Sequence, residues 1–189
     1  MDNLRIVMPT EPDRSEQTHS KRIGVWMVAA AWIVLLWLLT MFIGKWSERE
    51  YNPNQNVANM LTDEGAREVV LQRNRSGHYV TSGFINNKPV TFMLDTGATD
   101  ISIPGRLADE LGLERGATIY FQTANGPAAG YATMVDSVAI GHIQLNKVRA
   151  SINPNVKDLD ILLGMTFLKH LEFTQRGNTL TLRQHPVSR

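Results

Sequence analysis

Among the residues able to do chemistry, Asp95 has the most unusual setting. It ends the apolar run Val90–Leu94 and is followed by Thr96, Gly97, Ala98 and Thr99, before the chain returns to apolar sequence at Ile101–Pro104. A threonine hydroxyl there can bond to a neighbouring backbone. Glycine permits close approach and positive φ, and the small alanine keeps the turn narrow. Such a loop presents one partly desolvated carboxylate, the setting for a general acid or base. Asp and Gly are equally at home in a plain surface turn, so these letters alone leave both readings open. Other chemistries lack their residues. The chain has no cysteine, hence no thiol nucleophile and no Cys-ligated metal. The five histidines, at 19, 78, 142, 170 and 185, have no metal-site spacing, so neither a metal nor another cofactor is expected. No G-x-S-x-G marks a serine hydrolase. A net charge of +1 with scattered cations gives no case for nucleic acid.

The elements that must position Asp95 follow from the rest of the chain. Its 189 residues suffice for one domain plus an appendage. Residues 23–43 carry no charge and have the length and apolarity to cross a lipid bilayer. A cleaved signal peptide would have a shorter apolar region and a small-x-small site after it, which MFIGKWSERE does not offer. Arg14, Lys21 and Arg22 precede the span, whereas Lys45 and Arg49 follow it interleaved with Glu48 and Glu50. This bias puts the N-terminus in the cytoplasm and the rest outside, which in a bacterium means the inner membrane with the domain in the periplasm. Residues 1–22 read as a polar cytoplasmic tail and residues 44–66 as a flexible, Asn-rich tether. Within that tether, the apolar pair Met60-Leu61 marks either a nearby point of self-cleavage or residues that begin the domain's first strand or pack on it.

Residues 67–189 read as short strands separated by turn signals, an all-β domain. Strands are expected at 68–73, 78–85 and 89–94, with Asn86-Asn87 as a hairpin turn. Pro104 to Gly112 reads as a short helix. Strands at 118–123 and 130–140 flank ANGPAAG, expected as a mobile hairpin tip. A strand at 143–152, one at 159–163 ending in Gly164, a short helix from Met165 and a closing hairpin around Gly177-Asn178 complete the pattern.

In that context VTFMLDTGAT resembles the catalytic loop of retropepsin-like aspartic proteases, most closely the membrane-anchored bacterial type. LDILLGMTFL resembles the family's apolar strand that ends in Gly and leads into a short helix, and TANGPAAG lies where the family places its flap hairpin. The resemblance covers residues 67–183, about one retropepsin subunit. It implies a closed acid-protease β-barrel with one or two short helices, preceded here by a single transmembrane helix. It implies Asp95 as the catalytic acid and base, in a loop completed by Thr96, Gly97 and Ala98. Thr96 would form a reciprocal grip with a second loop, and Gly97 would lie against a peptide substrate. Asn125 and Gly126 would sit at the flap, and Ile161, Leu162, Leu163 and Gly164 would support the loop.

Peptide hydrolysis by this chemistry needs two carboxylates sharing a proton. No second Asp-[Thr/Ser]-Gly exists in the chain; Asp136-Ser137-Val138 puts a β-branched residue where Gly is needed, and Asp160 has no loop of small residues. The second acid is therefore expected from Asp95 of another copy, making a homodimer that acts on peptide or protein substrate near the membrane. Two alternatives stand beside this. One is a catalytically silent, membrane-tethered peptide-binding or dimerisation module of the same fold. The other is an aspartyl-phosphate enzyme, for which the chain has no P-loop and no room for a nucleotide domain.

Overall fold

The computed structural model describes residues 14–61, 65–123, 126–156 and 160–186. The chain divides into two units between Trp46 and Ser47. The first is built on helix α1, Arg14–Tyr51, whose C-terminal turns belong to the second unit. Its apolar stretch has the length and composition to cross a membrane, and its large side chains are exposed on every face. The helix is longer than the sequence suggests. It starts inside the segment read as a tail, because no proline or glycine interrupts residues 14–22. It stops only before Asn52-Pro53, where the proline disfavours helix for the residue preceding it.

Among the described residues, the second unit holds eleven strands and two short helices besides the end of α1. In chain order these are β1 (Ala58–Leu61), β2 (Arg67–Gln72), β3 (Val80–Ile85), β4 (Lys88–Leu94), β5 (Ile101–Pro104), α2 (Gly105–Leu111), β6 (Thr118–Thr123), β7 (Gly126–Ile140), β8 (Ile143–Asn153), β9 (Ile161–Leu163), α3 (Met165–Leu168), β10 (Glu172–Arg176) and β11 (Thr179–Gln184). Six of them form a closed ring in the order β3-β4-β9-β5-β8-β7, sealed where β3 pairs with β7 at Phe84↔Ala139 and Ile85↔Val138. Closure leaves those strands no free edge. β6 pairs with the far end of β7 as a projecting hairpin. The remaining strands form an antiparallel sheet, β1-β2-β11-β10, whose Leu71 and Leu182 join Phe92, Ile103, Ile161 and Phe167 in one buried core.

Local chemistry sets the turns. Asn86 and Asn87 adopt φ of 49° and 64°, the geometry of a two-residue hairpin turn that asparagine tolerates. Asn86 also closes the ring: its N–H donates to Ser137 O and its Oδ1 accepts the Ser137 N–H, both at 3.0 Å. Gly112, at φ 73°, caps α2 in the left-handed region.

Two expectations need correction. The segment GPAAG is not a loop tip, because β7 begins at Gly126 and all of residues 126–130 pair with β6. Residues 124–125, between the two strands, lie outside the described residues. Nor is 44–66 a flexible tether where it is described. Asn52 and Asn54 are buried. Asn54 Nδ2 donates to Gln72 O (2.8 Å) and Val80 O (2.7 Å), while its Oδ1 accepts the Gln72 N–H (2.7 Å). Asn52 Nδ2 donates to Ser82 Oγ at 3.0 Å. A side-chain amide is donor and acceptor at once, so it can satisfy the backbone groups of β2 and β3 as a strand would. Met60 and Leu61 are the last two residues of β1, opposite Glu68 and Arg67 of β2, so this apolar pair ends the domain's first strand.

Candidate active site

Asp95 is the first residue after β4. The chain leaves β4, arches over the end of β9 and returns as β5 on β9's other side. β9 is parallel to β4, with Leu94 opposite Leu163, and meets β5 at Ser102↔Leu162. The Asp95 N–H donates to Leu163 O at 3.2 Å, and the Ala98 N–H closes the turn on Asp95 O at 3.2 Å. The half-buried carboxylate accepts the Gly97 N–H on Oδ1 at 2.8 Å, leaving Oδ2 free for other partners. Thr96 and Gly97 are exposed at the crest of the loop, and Ala98 is half-buried.

The two glycines serve by letting groups come close. Gly97 is not in the left-handed region, contrary to one expectation of its role. A Cβ there would stand 3.1 Å from Asp95 Oδ1, which is why the residue that donates to the carboxylate carries no side chain. Gly164 is tighter. A Cβ on it would lie 2.3 Å from Asp100 O and 2.5 Å from Ala98 O. Bare backbone at 164 brings the start of α3 up against the loop. The Met165 N–H then donates to Ala98 O (2.8 Å) and the Thr166 N–H to Thr99 O (3.0 Å). Thr166 Oγ1 accepts the Ile101 N–H at 3.1 Å. Ile161 and Leu163 are fully buried beneath, and Leu162 is half-buried.

Sequence reasoning missed Thr166 because Met-Thr-Phe-Leu reads as an ordinary helical turn; a threonine two residues past the close-packed Gly164 was the available signal. It also left Asp100 unassigned. That carboxylate ends the loop in an ion pair with Arg149 at 3.0 Å.

The other candidate acids are engaged elsewhere. Asp136 is exposed in β7 and paired with Lys147. Asp160 precedes β9 and accepts a hydrogen bond from the Tyr51 hydroxyl. Of the residues expected at the flap, Gly126 opens β7 at φ 105° and Asn125 lies outside the described residues. The Phe121 ring covers Gly130, where a Cβ would meet it at 2.8 Å, and the Arg115 guanidinium stacks over Tyr131 at 5.7 Å. Both aromatics thus pack within or beside the hairpin. Among the described residues no group of three or more His, Asp or Glu could hold a metal ion.

Burial pushes the Asp160 carboxyl up from its ordinary value of 3.8. The folded chain therefore holds that proton more tightly than the unfolded chain. Its contribution to stability is fully present below the unfolded pKa and is lost as pH rises through the folded one. Asp160→Asn, neutral throughout, is expected to melt progressively higher relative to wild type as pH is raised from about 4 to about 7. Thermal melts at several pH values check this. A difference that stays constant, or that grows toward acid, contradicts it.

The comparisons with known proteins fall on this part of the chain. A family model described as "gag-polyprotein putative aspartyl protease" matches residues 81–170, which include the Asp95 loop, β9 and α3. An uncharacterized Sinorhizobium protein from the region 5′ of cobV is 36% identical over 132 residues, 67% of this chain and 56% of its own. The uncharacterized protein RP867 of Rickettsia prowazekii is 31% identical over 109 residues, 56% of this chain and 46% of its own. The chain thus spans about half the length of these curated relatives. Among solved structures, a retropepsin-like aspartic protease from Rickettsia conorii superposes with a TM-score of 0.52 at 26% identity, covering 68% of this chain and 95% of that one.

Proposed function

We propose, from the premise that this chain has a retropepsin-like fold, that it is an aspartic endopeptidase whose catalytic pair is Asp95 from each of two copies. The observation that carries the reading is the clasped loop. A carboxylate stands at the end of a barrel strand with one oxygen held by the Gly97 N–H, on a loop pinned from beneath by Leu163, Met165 and Thr166. Fixing a carboxylate this way holds it in place for proton transfer without relying on a mobile side chain.

One carboxylate cannot do both halves of the reaction. A water must lose a proton to an ionised acid while a protonated acid polarises the scissile carbonyl. Asp136 and Asp160 are bound to other groups, so the partner acid is assigned to a second copy. The exposed Thr96 supports this reading, since a hydroxyl at the crest is available to the opposite loop. The β6–β7 hairpin is assigned as the flap over the peptide, and no metal or cofactor enters the chemistry.

The apolar part of α1 is assigned as the membrane anchor, with residues N-terminal to it in the cytoplasm and the domain in the periplasm of a bacterial cell. Confinement to one plane raises the effective concentration of the two copies. It also directs cleavage to envelope proteins near the membrane.

The reading is tested with the purified full-length chain in detergent micelles and a digest of mixed proteins as substrate. Peptide-bond cleavage is expected, insensitive to chelators. A peptide bearing a tetrahedral hydroxyl-carbon in place of the scissile carbonyl should block it, because it mimics the transition state. Absence of any cleavage by a well-folded dimer would point instead to a silent peptide-binding module.

A further inference from the structure

We propose that Tyr51 is a positioning residue for the Asp95 loop: its hydroxyl, through Asp160, fixes strand β9, from which the loop is hung. The catalytic part of this inference rests on the reading given under Proposed function. Tyr51 lies outside the stretch matched by the family model.

The connection runs through two hydrogen bonds joined by strand β9. The Tyr51 hydroxyl donates to Asp160 Oδ2. Asp160 immediately precedes β9, which has only three residues. Leu163, the last of them, accepts the Asp95 N–H. So short a strand has few ladder bonds of its own, and its position depends on what grips its ends. The Asp95 loop and Gly164 grip the C-terminal end. At the N-terminal end, Tyr51 supplies a grip from the far side of the sequence.

The phenol stands on a firm base. Tyr51 O accepts from Asn74 Nδ2 at 3.0 Å, and the neighbouring Glu50 pairs with Arg75 at 2.9 Å. Asn52 and Asn54, just beyond it, are tied to Ser82, Gln72 and Val80. The segment once read as a tether is therefore a clamp on the domain, and Tyr51 is its point of contact with β9. The acceptor also needs this donor, because Asp160 is half-buried and a carboxylate taken out of water must find hydrogen bonds.

Tyr51→Phe removes the hydroxyl and little else. In the full-length chain in micelles it is expected to lower kcat between about ten- and a hundredfold, the scale of a misplaced catalytic group, with KM changing far less. Amide exchange at Asp95 should accelerate, while exchange in β7 and β8 stays at the wild-type rate. Asp160→Ala should reproduce both effects, and the double variant should be no worse than either single one. Asp160→Asn keeps an oxygen that accepts from the phenol and should retain most of the activity. Unchanged exchange at Asp95 in Tyr51→Phe would overturn the proposal, as would acceleration spread evenly over the domain. Wild-type protein without Asp95-dependent cleavage would instead sink the proteolytic reading. The exchange data would then still decide whether Tyr51 holds the loop.

Discussion

Asp95→Asn is expected to give a folded chain that cleaves nothing. The structure says why the fold survives. The carboxylate's one intramolecular bond is accepted on Oδ1 from the Gly97 N–H, and an asparagine carbonyl oxygen accepts it equally well. The backbone bonds that build the loop, Asp95 N–H to Leu163 O and Ala98 N–H to Asp95 O, do not involve the side chain. The melting temperature should move by no more than about 2 °C, as for a substitution that breaks no buried network. Catalysis has no such reserve. An amide cannot take a proton from water at any useful pH, so the step that makes the nucleophile is lost. A positioned acid–base group contributes roughly 10²–10⁴-fold. If the pair is Asp95 from each of two copies, as proposed, both members are changed at once and the loss should reach the upper end of that range or pass it. Mass spectrometry of a peptide digest reads the result. Cleavage at the wild-type rate by pure variant protein would remove Asp95 from the chemistry.

Gly164→Ala should be the most damaging small substitution outside the loop itself. The added methyl would meet two backbone carbonyl oxygens at 2.3 and 2.5 Å, and no flexible side chain is there to yield. Either α3 backs away, giving up the Met165 and Thr166 bonds to Ala98 O and Thr99 O, or the loop lifts. Overpacking of this kind costs about 1–3 kcal/mol of stability. A loop moved by about 1 Å loses on the order of 10²-fold in rate. The two effects are separable by denaturant unfolding and by kcat. The comparator is Gly112→Ala, in open space but at a positive φ of 73°, which should cost stability through backbone strain and leave the loop's rate untouched. If Gly164→Ala were as stable and as active as wild type, the loop would not be seated as the structure has it.

What the sequence revealed and what it hid divide along contact distance. The Asn86-Asn87 turn rests on residues whose special property is local, so type and spacing disclosed it; the residue types at Asp95 showed a narrow turn, while the seat of Gly164 beneath it was expected only from the family resemblance. The GPAAG stretch misled for the opposite reason. Its composition is that of a turn, yet Ala128 and Gly130 lie in β7 opposite Phe121 and Ile119, where pairing with β6 outweighs propensity. Asn52 and Asn54 misled in the same way. Asparagine in a polar stretch signals a linker, and nothing local says that Asn54 will satisfy backbone groups of β2 and β3. The Tyr51–Asp160 contact joins residues 109 apart and had no sequence signal at all. Dimerisation was inferred only from a missing aspartate.

That inference is also the point on which the account is most exposed. The deciding measurement is cleavage activity when Asp95→Ala protein is co-expressed with a constant amount of wild type in the same membrane. If each site takes one Asp95 from each copy, a mixed dimer has a single carboxylate and cannot share a proton across a pair. Random pairing at equal amounts leaves roughly a quarter of the dimers, and about half of the wild-type subunits, in working pairs. Activity should therefore fall to about half of that given by the same wild type alone, and should keep falling as more variant is added. Activity that stays flat, with both forms present in the membrane, would show that a single chain is the catalytic unit.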